Sequence, residues 1–191
     1  MTNWLLTATK YHNKNSQKKI LNTDEIISDY NLLFEQLKAA NPKIKIILTI
    51  SPVRYIRDGL VENNLSKARL IDAVNTLAKE NKNVFYFPAY ELLIDILRDY
   101  RFYKSDMVHP SDQAIEYIFN TLTNITFNEK TKELFEKVKE IIAAKDHHPF
   151  NTETDGFKKF KITYFNRCKE LQKKNPFLNL ANELSYFNSS M

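Results

Sequence analysis

Asp106, His109 and Ser111, in the run Asp106-Met107-Val108-His109-Pro110-Ser111, are the residues of this 191-residue chain whose types and spacing most readily do chemistry. An imidazole can take the proton of a nucleophilic serine if a carboxylate fixes its tautomer and stabilises its charged form. Asp106 and His109 fit those two roles, and in a complete protein Asp106 is expected to lie buried behind the imidazole. Pro110 biases His109 toward an extended backbone, while Ser111 can cap a following helix and Asp112 can complement its dipole. The pair is thereby set at a junction between strand and helix, where open α/β sheets place ligands. The plainer alternative is that Asp106 only caps a turn and His109 packs or faces water. The serine of such a site belongs at the end of an early strand, and neither Ser51, Ser66 nor Ser111 suits the role. Ser51 is followed by Pro52, Ser66 fits a helix cap, and Ser111 stands two residues from His109 at a helix start.

Other polar groups cluster on the loop after the first strong strand pattern. Arg54 and Arg57 could bind an anionic or carbonyl oxygen there, or form ion pairs with Asp58, Glu62 or Asp99 that fix the loop. Glu62, Asn63 and Asn64 could line a pocket or simply lead into a helix at Ser66. His147 and His148 are adjacent on an elbow with no third ligand nearby in sequence, so no metal is expected. Only two glycines, Gly59 and Gly156, occur where average usage gives about thirteen. Glycine-rich phosphate cradles are therefore absent, and no cofactor is expected.

The elements that must position these groups follow from periodicity. Asn22 and Glu25 are spaced as a capping box, and Ile26, Ile27, Tyr30, Leu33, Phe34 and Leu37 recur at helical spacing up to Asn41-Pro42. Ile44 to Ile50 is almost continuously apolar and β-branched, which suits a strand covered on both faces. A helix from about Ser66 carries Leu70, Ile71, Val74 and Leu77 on one side, and Val84 to Phe87 make a second strand. Strand, helix and strand form a βαβ unit with a right-handed crossover. A short amphipathic piece from Glu91 to about Tyr100 follows. Beyond the Asp106 loop comes a helix with Ala114, Ile115, Ile118, Phe119 and Leu122 facing inward. Two more are lined by Leu134, Phe135, Val138, Ile141 and Ile142, and by Phe157, Phe160, Tyr164, Cys168 and Leu171. Two strands are too few for an open parallel sheet. Either the N-terminal residues add a strand or partners are missing.

Ser51-Pro52-Val53-Arg54, Arg57 to Asn64, Tyr86 to Glu91, Leu97 to Tyr103, the Asp106 run, and His148-Pro149-Phe150-Asn151 together resemble the C-terminal half of the GSCFA domain family, over about Asn22 to Phe187. That family is grouped with the SGNH, or GDSL-type, hydrolases. The resemblance implies an α/β fold, a partial SGNH-like doubly wound parallel sheet with about two to three strands retained and C-terminal helices. It also implies a Ser, Asp and His triad in which Asp106 orients His109 as general base. The family's nucleophile belongs to a Gly-Ser-Cys-Phe-Ala motif upstream of the Ser-Pro-Val-Arg segment, and no such run occurs in these residues. Tyr55 stands where the family's pattern has a histidine.

The expected organisation is an irregular lead-in over 1–21, the α/β part over 22–127 and a helical extension of the same domain over 128–191. The net charge of +5, from 28 basic and 23 acidic residues, is too mild and too dispersed to point to nucleic acid, and no zinc knuckle or RNP-type strand occurs. No stretch reaches the roughly 20 apolar residues of a bilayer span, and the first ten residues lack a signal-peptide pattern; a soluble, cytoplasmic protein is expected. Cys168, the single cysteine, sits at an apolar helical position and should be buried. Three functions stand open. The chain carries the Asp and His half of a site for an ester, an acylated small molecule or a glycan; or it is a non-enzymatic module whose sheet edge pairs with a separate N-terminal half; or it is a gene fragment without function of its own.

Overall fold

The computed structural model describes residues 9–10, 19–147 and 154–188. Two short strands, β1 (Thr9–Lys10) and β2 (Lys19–Ile20), pair antiparallel with each other. Among the described residues, those near the N-terminus therefore form a separate ladder rather than a third strand of the main sheet. Helix α1 (Thr23–Ala40) opens with the capping box in full: Glu25 N donates to Asn22 Oδ1 at 2.8 Å, and Asn22 N donates to Glu25 Oε2 at 2.9 Å. Ile26 and Phe34 are its buried residues, whereas Leu33 faces water.

Strands β3 (Ile46–Thr49) and β4 (Val84–Phe87) pair in parallel, with Ile46 opposite Val84 and Ile47 opposite Phe85. Helix α2 (Leu60–Glu80) connects them, giving the βαβ order. It starts six residues before Ser66, because Gly59 adopts φ 95°, a left-handed turn that a residue without Cβ makes at no steric cost, and the helix begins at once after it. Ser66 consequently lies inside the helix and caps nothing, while Glu62 sits in the first turn, where its charge complements the helix dipole.

The core of this part joins Ile26 and Phe34 of α1, Leu70, Ala73, Val74 and Leu77 of α2, and Leu48, Ile50 and Val84 of the sheet. Both helices cover the same face. The expectation of a strand covered on both sides is overturned: Ile47 and Phe85, neighbours in register on the opposite face, are 49% and 48% exposed. The apolar run is as the sequence reads, but among the described residues the second face is covered only in part: Phe87 on it is 7% exposed, whereas Ile47 and Phe85 are left open.

After β4 the chain makes one helical turn, α3 (Ala89–Glu91), widens to a π-helical segment over Leu92–Leu97, and stops at Arg98, whose φ is 49°. A 3-10 turn over Tyr100–Phe102 leads to an isolated antiparallel bridge between Tyr103 and Pro110, and α4 (Asp112–Thr126) follows. Ala114 of α4 is fully buried, but Ile115 and Phe119, both expected inward, are 51% and 42% exposed. The cause is the same as for Ile47 and Phe85: the helix has more apolar surface than the described residues cover.

The chain divides into two compact units, Met1–Asn124 and Ile125–Met191. In the second, α5 (Glu129–Asp146), α6 (Asp155–Lys174) and α7 (Ala181–Asn188) enclose Ile141, Ala144, Cys168, Leu171, Leu180 and Phe187. Leu134, Val138, Phe160 and Tyr164 pack against this core as the spacing predicts, while Ile142 is 43% exposed. The expected motif from His148 to Asn151 lies outside the described residues. Among those described, no helix is long and apolar enough to cross a membrane.

Candidate functional site

The Asp106 loop is built by local hydrogen bonds and closed by the bridge at its base. Lys104 N donates to His109 O at 2.8 Å and Ser111 N to Phe102 O at 2.8 Å, flanking the Tyr103–Pro110 pair. Within the loop, Asp106 Oδ1 accepts from Val108 N at 2.8 Å and from His109 N at 3.0 Å. Met107 between them takes φ 59°, a conformation that costs free energy in a residue with a Cβ and persists because the Asp106 side chain holds the turn. Ser111 then serves α4 as a cap, its hydroxyl accepting from Ala114 N at 3.4 Å and its carbonyl from Ile115 N at 3.0 Å.

The other oxygen of Asp106 meets the imidazole: Oδ2 lies 2.6 Å from His109 Nδ1. The backbone N–H of His109, its ring and the Val108 N–H together hold the Asp106 carboxyl down to about 2. An ionised carboxylate only accepts, so the neutral imidazole facing it carries its proton on Nδ1 and leaves the Nε2 lone pair free. That nitrogen has no partner among the described residues. Among the described residues Asp106 is not buried behind the imidazole, the arrangement expected of a complete protein. The two side chains are 47% and 58% exposed, because the loop stands at the surface with only its base, at Pro110, buried. Water competes for a pair so placed and weakens it.

The Arg54 loop is fastened to the Asp106 loop by a backbone bond, Arg54 N donating to Val108 O at 3.2 Å. The Arg54 guanidinium lies 4.5 Å from the centre of the Tyr103 ring and forms no ion pair among the described residues. Asp99, one of its candidate partners, pairs instead with Arg101 at 3.0 Å. Arg57 is exposed in the 3-10 turn Ile56–Asp58, and Glu62 is exposed on α2. Asn63 is engaged structurally, its Oδ1 accepting from Tyr55 N at 2.8 Å, which ties the Arg54 loop to the start of α2. The structure thus brings Arg54, Asp106 and His109 onto adjoining loops, whereas among the described residues Arg57, Glu62 and Asn63 form no hydrogen bond or ion pair with Asp106 or His109.

Lys67, which the sequence did not single out, and the Tyr86-to-Glu91 run complete the surroundings. Lys67 Nζ donates to the Ser51 carbonyl at the end of β3 and lies 5.9 Å from the Tyr90 ring centre; burial lowers its affinity for a proton. The Tyr86 hydroxyl lies 2.9 and 2.7 Å from the two carboxylate oxygens of Glu91. No local pattern marks Lys67, since its partner is 16 residues away. Among the described residues no three metal-ligating side chains converge. A groove of about 290 Å³ lies in the second unit, lined by Ile141, Leu171, and an Arg167–Glu140 pair at 3.6 Å. It contains none of the candidate catalytic groups.

A family model described as the GSCFA family matches residues 3–122, and one described as GSCFA domain protein, C-terminal domain, matches residues 138–191. The likeness therefore begins well before Asn22. No curated protein and no solved structure matches the chain.

Proposed function

The chain belongs to the GSCFA family, and from that premise we propose that it supplies the general-base half, His109 with Asp106, of an SGNH-type serine hydrolase site for esters or acyl groups. The observation that carries this reading is the 2.6 Å contact between Asp106 Oδ2 and His109 Nδ1, which leaves Nε2 free as a base. In the reaction, Nε2 removes the proton of a serine hydroxyl as its oxygen attacks the substrate carbonyl. Asp106 stabilises the imidazolium that forms, which then gives that proton to the leaving oxygen as its bond to the acyl carbon breaks; water, activated by the same nitrogen, releases the acid. These 191 residues contain no Gly-Ser-Cys-Phe-Ala run, and we assign the nucleophile to a segment outside them, so the chain by itself is inactive.

Labelling with a serine-reactive fluorophosphonate tests this. The expected result is no labelling of the chain alone, and labelling of an upstream segment of the family when the two are mixed or co-expressed. Labelling of Ser51, Ser66 or Ser111 in the isolated chain overturns the assignment of the nucleophile, and absence of labelling in both arms overturns the hydrolase reading. A second reading, in which the chain is a non-enzymatic module, is favoured by the open sheet face at Ile47 and Phe85. Under it the upstream segment binds and protects the amides of β3 or β4 from hydrogen exchange, yet no serine is labelled.

A further inference from the structure

Two cations near the C-terminal ends of β3 and β4 rest on aromatic rings and form no ion pair among the described residues. Arg54 lies over Tyr103 and Lys67 over Tyr90, and Lys67 reaches the carbonyl of Ser51, three residues before Arg54 on the same loop; Tyr90 feels the charges of Asp95, Glu91 and Arg54. An aromatic face attracts a cation, but it satisfies none of the five N–H donors of a guanidinium. Among the described residues the Arg54 side chain has no hydrogen-bond acceptor and no ion-pair partner. Lys67 directs one N–H to the Ser51 carbonyl, leaving two. Neighbouring carboxylates act on Tyr90 without pairing with either cation: Glu91 is engaged by Tyr86, and among the described residues Asp95 forms no ion pair with Arg54 or Lys67.

We infer that Arg54 and Lys67 form a binding site for an oxyanion, a carboxylate or a phosphate, carried by the molecule on which the adjoining loop acts. The planar fork of Arg54 suits either group, and its ring support holds it in place before the ligand arrives. Two backbone links set the site beside the loop that carries His109: Arg54 N to Val108 O, and the Tyr103–Pro110 bridge. Only the identification of the ligand as a substrate rests on the hydrolase reading; the anion site itself does not.

Titration of the full chain with succinate and, separately, with inorganic phosphate, each at ionic strength matched with chloride and followed by amide NMR, tests the site without turnover. Saturable shifts at Ser51, Arg54 and Tyr103 are expected with at least one of the two probes, and the tighter one identifies the group. Arg54→Gln should weaken binding about tenfold or more, since a charge-assisted hydrogen bond is removed. Arg54→Lys should give an intermediate loss, and Arg101→Gln, whose guanidinium already pairs with Asp99, none. Shifts that do not saturate, that map elsewhere, that chloride alone reproduces, or that persist in Arg54→Gln overturn the inference. If Arg54→Gln does not fold, the wild-type map and Lys67→Met decide by the same criteria. Failure of the hydrolase reading shows separately, as serine labelling that never appears.

Discussion

Replacing Asp106 by asparagine separates its two roles. The wild-type carboxylate accepts three hydrogen bonds, from Val108 N at 2.8 Å and His109 N at 3.0 Å through Oδ1, and from His109 Nδ1 at 2.6 Å through Oδ2. Asparagine keeps an oxygen for the first two and puts an NH2 group where Oδ2 was. Two of three bonds survive, so the turn around Met107 persists and the unfolding midpoint should move by no more than about 3 °C. The third contact now requires Nδ1 to accept, which moves the imidazole proton to Nε2 and abolishes the base. Serine-protease triads lose about 10⁴-fold in kcat on the corresponding change, and a site reconstituted with its nucleophile should lose a similar factor. Long-range ¹⁵N NMR of the imidazole reads the tautomer directly, without substrate. The expected result is Nδ1–H in the wild type and Nε2–H in Asp106→Asn. Asp106→Ala, which removes all three bonds and leaves Met107 in its left-handed conformation unsupported, should melt at a clearly lower temperature than Asp106→Asn. An Nε2–H tautomer in the wild type, or equal melting temperatures for the two variants, would refute the reasoning.

Further predictions follow from burial and charge. The folded carboxyl of Asp106 is lowered from 3.8 to about 2, so its ionised form contributes stability that is present above about pH 4 and lost as pH falls toward 2; urea midpoints measured over that window should fall more steeply in the wild type than in Asp106→Asn. Leu77→Ala removes a fully buried side chain lying between α1, α2 and the sheet, and should cost about 3 to 4 kcal/mol in urea unfolding of the first unit, while Leu60→Ala, at a position 71% exposed, should cost less than about 0.5 kcal/mol. The Cys168 thiol is fully buried and raised in pKa by that burial; its reaction with a disulfide reagent should run at the opening rate of the second unit and become fast in denaturant.

Short-range physics was legible from the residues alone. The Asn22–Glu25 box, the facing apolar positions of α1 and α6, the strand at Val84 to Phe87, and an Asp three residues before a His-Pro-Ser junction are set by neighbours within about four positions, where spacing fixes geometry. The tertiary structure decided whatever depends on distant partners. Whether Ile47 and Phe85 are covered depends on a layer that their own alternation cannot specify, and the start of α2 moved because one glycine, not Ser66, turns the chain. Arg54 found an aromatic ring 49 positions away instead of Asp99, and Lys67 reached back 16 positions to the end of β3. The Asp106–His109 contact is local and could be anticipated, but its exposure could not. Burial is a property of everything packed around a loop, and composition and period describe only the loop itself.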